Sequence, residues 1–205
     1  MDSRRHPGWP AVLSHGRVGL RPLKFRDASA WSKLRLSNED WLVPWEPSSS
    51  QSWADRHSVA AYVTMYNRLR PQARSGLLLP FAVTYDDAMV GQLTVANVVR
   101  GALRSAQIGY WIDEAVAGRG VMTVAVALAV DHCFGPVGLH RVQIDIRPEN
   151  ARSRRVVEKL GFREEAYFVR YLDIDGAFRD HIGYALTVED CPRGLIRRLA
   201  SNAEQ

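Results

Sequence analysis

The stretch GYWIDEAVAGRGVMTVAVALAV, residues 109–130, decides how the chain is built. Its first residues belong to a predicted strand at 106–113, and the apolar run after Gly120 predicts a helix. Gly118 and Gly120 lie at the junction, where glycine lets the backbone approach a ligand and the helix start offers unpaired N–H groups with partial positive charge. The junction predicts a phosphate site. An ordinary tight connection is the alternative, and this spacing alone does not decide between them.

The segments before this junction predict helices and an antiparallel meander. In chain order they are a strand at 17–23, a helix at 26–36, a loop at 38–53, a helix at 54–69, and strands at 80–85 and 89–99. Two prolines, a serine run and several tryptophans favour the loop. An Asp-Asp turn separates the last two strands, which therefore pair with each other and lead into the next strand.

The segments after the junction predict a strand, a helix and a terminal hairpin. The strand covers 140–148, the helix 150–161, and the hairpin strands 165–174 and 177–188. Asn150 is a candidate N-cap and Gly161 a candidate C-cap of the helix. Asp175-Gly176 between two strand-like runs is a strong short-range hairpin signal.

Composition limits the class of protein. With 205 residues, 46% of them hydrophobic and 24% charged, the chain can bury one sizeable core and is expected to form one domain. No apolar run approaches the roughly 18 residues of a membrane span, and the start lacks a signal-peptide pattern, which predicts a cytoplasmic protein without a membrane partner. Cys133 and Cys191 lack metal-ligand spacing and are expected to be free thiols.

The net charge of +5 indicates either an anionic partner or a solvated basic surface. Arginines concentrate in ARSRRVVEK, residues 151–159, and RGLIRRLA, residues 193–200. No aromatic RNA-reading motif accompanies them, so a weak RNA or ribosome contact is one hypothesis among several.

Other phosphate and hydrolase motifs do not fit. Thr123 stands where a dinucleotide fingerprint would need a further glycine, and no Lys-Ser or Lys-Thr pair completes a nucleotide-triphosphate loop. The six histidines lack metal-ligand spacing, and no serine occupies a nucleophile elbow. The pattern therefore favours neither metal hydrolysis nor acyl-serine chemistry, and no metal is expected.

Three segments carry a family resemblance: residues 109–130, LHRVQIDIRPENARSRRVVEKLGF at 139–162 and YLDIDGAFRDHIGYALT at 171–187. They resemble the GNAT superfamily of acetyl-CoA dependent N-acetyltransferases. WLVPWEP at 41–47 and NVVRG at 97–101 are similar to the RimJ-type ribosomal-protein alanine N-acetyltransferases.

The resemblance implies an α/β fold of the α+β type, the GNAT fold. We expect a mixed, mostly antiparallel twisted sheet of about seven strands flanked by helices, with a C-terminal β-hairpin. It also implies an N-terminal extension at 1–16, the acetyltransferase domain at 17–190 and a basic C-terminal tail at 191–205.

The resemblance implies where acetyl-CoA binds. Backbone N–H groups at the glycine junction hold its pyrophosphate, and the end of the preceding strand pairs with its pantetheine. Aligned on Gly120, the family motif begins with Gln or Arg and ends with Gly or Ala, whereas this chain has Ala117 and Met122. The expected coenzyme residues are Trp111, Ile112, Asp113, Gly118, Arg119, Gly120, Val121, Met122, Thr123, Asn150 and Ser153.

The chemistry of acetyl transfer favours an N-terminal acceptor. The attacking amine must be neutral, and an α-amine with a pKa near ~8 is already about one-tenth neutral at pH 7. A lysine amine has a pKa near ~10.4, and the enzyme would have to lower this pKa by about three units or more to make the amine neutral at pH 7. We therefore expect direct attack by a protein N-terminus in a ternary complex, with no covalent enzyme intermediate.

Catalytic and acceptor residues are less well defined. Ser153 is the candidate proton donor to the leaving thiolate, and Asn150 shares its helix face. The resemblance places both beside the coenzyme sulphur and implies an oxyanion contact from backbone N–H groups near Ile112 and Asp113. Alternatively, Asn150 only caps its helix and Ser153 only bonds a nearby carbonyl.

The general base has three candidates, Asp180, His181 and Glu46, which spacing does not rank. Trp45, Glu46 and Arg100 are candidate acceptor-binding residues. The alternatives are that the tryptophans at 41 and 45 only pack, and that Arg100 only covers a strand end.

The expected acceptor is the N-terminal amine of a ribosomal protein. A small-molecule or antibiotic N-acetyltransferase of the same fold, and a non-catalytic coenzyme- or RNA-binding module, are the alternatives. The expected oligomeric state is a monomer or a homodimer.

Overall fold

Eight strands form one mixed sheet in the computed structural model, which describes residues 8–203. The strands are β1 Leu13–His15, β2 Val18–Pro22, β3 Leu79–Tyr85, β4 Ala88–Val99, β5 Ser105–Ile112, β6 Arg141–Ile146, β7 Arg163–Ile174 and β8 Ala177–Thr187. The helices are α1 Ala28–Ser37, α2 Glu39–Leu42, α3 Trp53–Arg56, α4 Val59–Arg74, α5 Val121–Phe134, α6 Ala151–Lys159 and α7 Leu195–Ala203.

The sheet order β1-β2-β3-β4-β5-β6-β8-β7 follows from the connections. Two-residue turns join β3 to β4 and β7 to β8 as antiparallel hairpins, and their residues Asp86, Asp87, Asp175 and Gly176 adopt the positive φ that such turns require. Between β5 and β6 the chain crosses over through α5, so this pair is parallel. The predicted meander, the two turns and the terminal hairpin are confirmed.

Strands β5 and β6 pair over three positions only, from Ser105–Arg141 to Gln107–Gln143. Beyond them the strands separate, and the second half of β5 keeps only its β4 neighbour. The sheet therefore opens into a gap between its two central strands.

Helix α5 fills one side of the sheet. Eleven of its fourteen residues are buried, because the helix is apolar on almost every face and lies between the sheet and the helices α6 and α7. On the other side, Trp31 of α1 and Tyr62 of α4 form a second apolar cluster with Ala28. Both faces of β5 are thus covered. The gap between β5 and β6 therefore opens between the layer formed by α5 and the layer formed by α1 and α4.

Three regions differ from the sequence-based expectation. The sheet has eight strands because residues 13–15, placed in the expected N-terminal extension, pair with β2. The expected tail 191–203 contains α7, whose Leu195 is fully buried. The expected helix at 54–69 is two helices, since Ser58 caps the start of α4 with its side chain. Residues 1–7 and 204–205 of the expected extension and tail lie outside the described residues.

The predicted loop at 38–53 contains short helical turns at 39–42 and 43–45. Trp41, Trp45 and Glu46 lie in the first part of this segment. We call residues 38–48 the tryptophan loop. Within residues 8–203, no helix is both long and apolar enough to cross a lipid bilayer.

We expect Asp131→Ala to destabilise the protein by about 1–2 kcal/mol. The Asp131 carboxylate on α5 accepts hydrogen bonds from the Leu195 and Ile196 N–H groups at 2.6 and 3.0 Å, which fixes the start of α7. Urea unfolding measures the change. Glu158→Ala is the control, because Glu158 makes only an exposed 3.9 Å ion pair and should change stability by less than about 0.5 kcal/mol. Equal effects would show that Asp131 does not anchor α7.

Candidate active site

A cavity of about 620 Å³ occupies the gap between β5 and β6. It is lined by the end of β5, the first turns of α5 and α6, and the tryptophan loop. Of the predicted site residues it brings together the following: Trp45, Glu46, Trp111, Ile112, Gly118, Gly120, Val121, Met122, Thr123, Asn150 and Ser153.

The start of α5 faces this cavity with free N–H groups. Among the residues that the structure describes, no side chain caps the helix, and the N–H groups of Val121, Met122 and Thr123 precede the first intrahelical bond, which Val124 makes to Gly120. Gly118 and Gly120 both have a φ of +79°, a conformation that other residues adopt only with strain. The turn and the helix dipole together suit a bound anion.

Basic side chains of α6 line the same cavity. Arg152, Arg155 and Lys159 follow one another at three- and four-residue spacing and therefore lie along one face. The Arg152 guanidinium lies 4.4 Å from the centre of the Trp41 ring. A cavity with a helix N-terminus and cationic side chains fits a phosphorylated ligand.

The edge of β5 offers backbone groups to the gap. The Asp113 N–H donates to the Val90 carbonyl at 2.8 Å, and hydrogen-bonding direction alternates along an antiparallel strand, so the backbone groups of Ile112 and Tyr110 point away from β4. Trp41 Nε1 donates to the Ile112 carbonyl at 3.0 Å. The Ile112 N–H thus faces the gap, whereas the Asp113 N–H is not available for the expected oxyanion contact.

Asp113 instead orders the loop after β5. Its Oδ1 accepts from the Ala115 N–H at 3.2 Å and from Asn38 Nδ2 at 3.0 Å. Neither Asp113 nor Arg119 lines the cavity.

Asn150 and Ser153 lie at the start of α6. Asn150 Oδ1 accepts from the Ser153 N–H at 3.0 Å, so the predicted N-cap is confirmed. The Tyr110 hydroxyl is buried near Ser153 without a hydrogen bond of standard geometry among the described residues. Burial raises the pKa of Tyr110 to about 12, which the Ser153 side chain only partly opposes. Tyr110 therefore keeps its proton beside Ser153.

The tryptophan loop is tied to the connection between β6 and α6 and to the hairpin. Arg147 Nη1 donates to the Pro44 carbonyl at 2.6 Å, and its guanidinium lies 5.3 Å from the Trp45 ring centre. The Asp175 N–H donates to the Glu46 carbonyl at 3.1 Å. Trp45 and Glu46 are thereby held against the cavity from two directions.

Glu46 also pairs with a buried arginine. Its Oε1 lies 2.7 Å from Arg35 Nη2, and Arg35 Nη2 lies 2.7 Å from His57 Nε2. Burial, followed by the charges of Arg35 and Arg56, lowers the pKa of His57 to about 4. His57 is therefore neutral at physiological pH.

Two predicted site residues lie elsewhere. Asp180 is not among the cavity-lining residues, because it accepts hydrogen bonds from the Arg170 N–H at 2.7 Å and the Tyr167 hydroxyl at 2.8 Å, where β7 is irregular. These bonds lower the pKa of Asp180, which makes it a weaker base. Arg100 donates to the Val137 carbonyl at 2.6 Å and does not line the cavity.

Two groups lie on the face of the sheet opposite α5. His181 is buried on β8, with Nδ1 3.0 Å from the Arg179 carbonyl. Asp145 on β6 accepts from Gln143 at 2.8 Å and Gln107 at 3.2 Å, and burial raises the pKa of Asp145. Sequence patterns do not single out Asp145, because a polar residue alternating with apolar ones is ordinary in a strand. The alternating pattern identifies only its face.

Comparison with known proteins identifies the family. The Acetyltransferase (GNAT) domain matches residues 17–163. The chain belongs to the GNAT acetyltransferase family. It is 31% identical over 185 residues to the ribosomal protein uS5-alanine N-acetyltransferase of Escherichia coli, covering 89% of this chain and 93% of that one. It is 32% identical over 170 residues to the probable N-acetyltransferase YjcK of Bacillus subtilis, with 83% and 93% covered.

A solved structure extends the likeness to nearly the whole chain. Mycobacterium smegmatis RimJ in complex with CoA-disulfide matches with a TM-score of 0.95 and 46% identity, covering 97% of each chain. This acetyltransferase is accordingly an N-acetyltransferase that uses acetyl-CoA as cosubstrate, and the expected fold is confirmed. Within residues 8–203, no group of three or more His, Cys, Asp or Glu side chains could hold a metal ion.

We expect the free energy of unfolding to fall between about pH 6.5 and pH 4. The unfolded chain takes up a proton on His57 near its ordinary pKa of 6.5, but the folded chain resists protonation until about pH 4. Acid therefore favours the unfolded state by up to about 3 kcal/mol. Denaturant unfolding at several pH values, with His57→Gln as the comparison, isolates this contribution. Parallel curves for the two proteins would contradict it.

Proposed function

We propose that this acetyltransferase modifies the N-terminal α-amine of a protein, with a ribosomal protein as the acceptor. The lining of the cavity carries the proposal, because the Glu46 carboxylate and the Trp45 ring line the same cavity as the start of α5, whose N–H groups suit phosphate. A protonated N-terminus suits the Glu46 carboxylate, and the similarity to uS5-alanine N-acetyltransferase and RimJ supports the choice of acceptor. The enzyme would work in the cytoplasm.

The chain's own groups account for coenzyme binding. The N–H groups from Gly118 to Thr123 bind the pyrophosphate, and Arg155 and Lys159 neutralise the remaining phosphate charge. Backbone groups of Tyr110 and Ile112 bind the pantetheine at the open edge of β5. The bound thioester supplies the acetyl group.

The chemistry of transfer is divided between the two sides of β5. The Ile112 N–H is a preformed donor for the carbonyl oxygen, and such donors stabilise developing negative charge. Ser153 donates its hydroxyl hydrogen bond to the leaving sulphur, with Tyr110 protonated beside it. The amine approaches from the side of Glu46, and water carries away its proton. The hydrogen bonds of Asp180 argue against that residue as the base.

Further properties of the chain belong to the same proposal. We place residues 8–203 in one acetyltransferase domain, because β1 and α7 pack with the rest of the fold. A ribosome or RNA contact of the basic surface, and the monomeric or homodimeric state, stay predictions from the sequence.

We expect turnover of short peptides with free N-terminal alanine or serine. Thiol release from acetyl-CoA, followed across peptides, Nα-blocked peptides, polyamines and aminoglycosides, measures acceptor choice. Blocked peptides should be inactive, because the α-amine is the nucleophile. Turnover of polyamines or aminoglycosides alone would refute the protein acceptor, and coenzyme binding without turnover of any amine would indicate a non-catalytic module. No labelled acetyl group should remain on the enzyme.

We expect Ser153→Ala to lower kcat about 10- to 100-fold while the Kd for coenzyme A changes less than about twofold. The substitution removes a donor to the leaving sulphur but keeps the helix cap, because that bond uses the Ser153 backbone N–H. Thiol release and calorimetric binding measure the two quantities. Thr64→Ala on the exposed side of α4 is the control. An unchanged kcat would exclude Ser153 from the chemical step.

A further inference from the structure

Arg35 is an unusual cation because its side chain is only 3% exposed. It lies on α1, where it contacts the Glu46 carboxylate and His57 Nε2, each at 2.7 Å. Three tryptophan rings surround the guanidinium, with centroids at 5.9, 4.9 and 5.0 Å: Trp31, Trp53 and Trp111. We call these six residues the Arg35 cage.

Hydrogen-bond chemistry fixes the charge state of the cage. A guanidinium can only donate, so His57 Nε2 accepts from Arg35 and carries no proton. The proton is then on Nδ1, which donates to the Trp53 carbonyl at 3.0 Å. With His57 neutral, Glu46 is the group of the cage that balances the charge of Arg35.

Stability alone does not explain this arrangement. Burial lowers the pKa of Arg35 even though Glu46 opposes the shift, and the Arg35 Nε atom has no hydrogen-bond partner among the described residues. A buried ion pair generally returns little net stability, because removing both charges from water costs about as much as their attraction supplies. The definite result of the pair is the fixed position of Glu46.

That position lies on the acceptor side of the cavity. Along β5, Tyr110 and Ile112 pack toward the α5 layer, whereas Trp111 packs toward α1 and α4. The Arg35 guanidinium contacts the Trp111 ring, so Glu46 reaches the cavity from the α1 side. Phosphate binding at α5 and the Glu46 carboxylate thus lie on opposite sides of β5.

We propose that Arg35 is a positioning residue that holds the Glu46 carboxylate where it binds the ammonium group of the incoming amine. This inference rests on the proposed amine acceptor and assigns the orientation of its binding group. Arg35 occupies Oε1 of Glu46, which leaves Oε2 for the acceptor. The positive charge of Arg35 lies behind the carboxylate and gives no attraction for an ammonium group. Its contribution is therefore the orientation of Glu46.

The test compares Arg35→Met, Glu46→Gln and the double variant, using the full chain and an N-terminal alanine peptide. We expect each single variant to raise the peptide KM at least about tenfold, the scale expected when one member of a buried charge pair is lost. The Kd for coenzyme A should stay within about twofold, because its site lies across β5. The double variant should match Glu46→Gln, because Arg35 acts only through that carboxylate.

Arg17→Met is the matched control. Arg17 also lies against an aromatic ring, 4.3 Å from the centre of Tyr85, and pairs with a carboxylate, Asp86, but none of these three residues lines the cavity. Its peptide KM should stay within about twofold of the parent value. A purely structural role for Arg35 would lower the melting temperature and the active fraction of Arg35→Met and leave the peptide KM unchanged.

Several outcomes would overturn the inference: an unchanged peptide KM in Arg35→Met, multiplied effects in the double variant, or an equal effect of Arg17→Met. If Arg35→Met does not fold, the peptide KM of the double variant is compared with that of Glu46→Gln alone. The double variant buries no unpaired charge. Failure of the protein acceptor is recognised separately, because the parent enzyme would then turn over small amines and no peptide. The same variants are in that case measured by their KM for the small amine.

Discussion

The separation of β5 from β6 is the constraint on which the rest of the structure depends. The two strands share three parallel pairs, and beyond Gln107 and Gln143 the backbone of β5 has lost one neighbour. A strand edge inside a fold needs a partner for its N–H and C=O groups. The tryptophan loop supplies one, through the bond from Trp41 to the Ile112 carbonyl, and in the proposed function the cosubstrate pairs with the remaining groups. The cavity is a consequence of incomplete pairing within an otherwise continuous sheet.

The same strand separates two chemical environments. On the α5 side, free N–H groups and the cations of α6 favour phosphate, and the apolar α5 is held by burial on nearly every face. On the α1 side, aromatic rings enclose the Arg35 and Glu46 pair. In the proposed function, the groups for the coenzyme phosphates and for the amine lie on opposite faces of β5, so the two reactants meet only at its open edge. Proximity at one edge is a large part of what such a site contributes to rate.

The tryptophan loop depends on contacts between distant parts of the chain. Arg147, in the connection between β6 and α6, holds the Pro44 carbonyl, and the hairpin backbone at Asp175 holds the Glu46 carbonyl. The hairpin therefore supports the segment that carries Glu46, the proposed acceptor-binding residue, although the hairpin's own predicted catalytic group, Asp180, is occupied by Tyr167 and Arg170. The β7–β8 hairpin contacts the site through its turn. The polar side chains in the middle of the hairpin instead form the hydrogen bonds of the irregular part of β7.

Local spacing in the sequence determined the order of the strands from β2 to β8 and of helices α1, α5 and α6, the hairpin turns at Asp86–Asp87 and Asp175–Gly176, the Asn150 cap and the glycine junction. Each of these features depends on residues a few positions apart. The family resemblance, carried by those segments, predicted where acetyl-CoA binds. Tertiary structure alone decided that Arg35 meets Glu46, that the Asp113 N–H is used by β4, and that Arg100 turns to Val137. Those contacts depend on strand register and on the path of the tryptophan loop across the sheet, which no short stretch of sequence encodes.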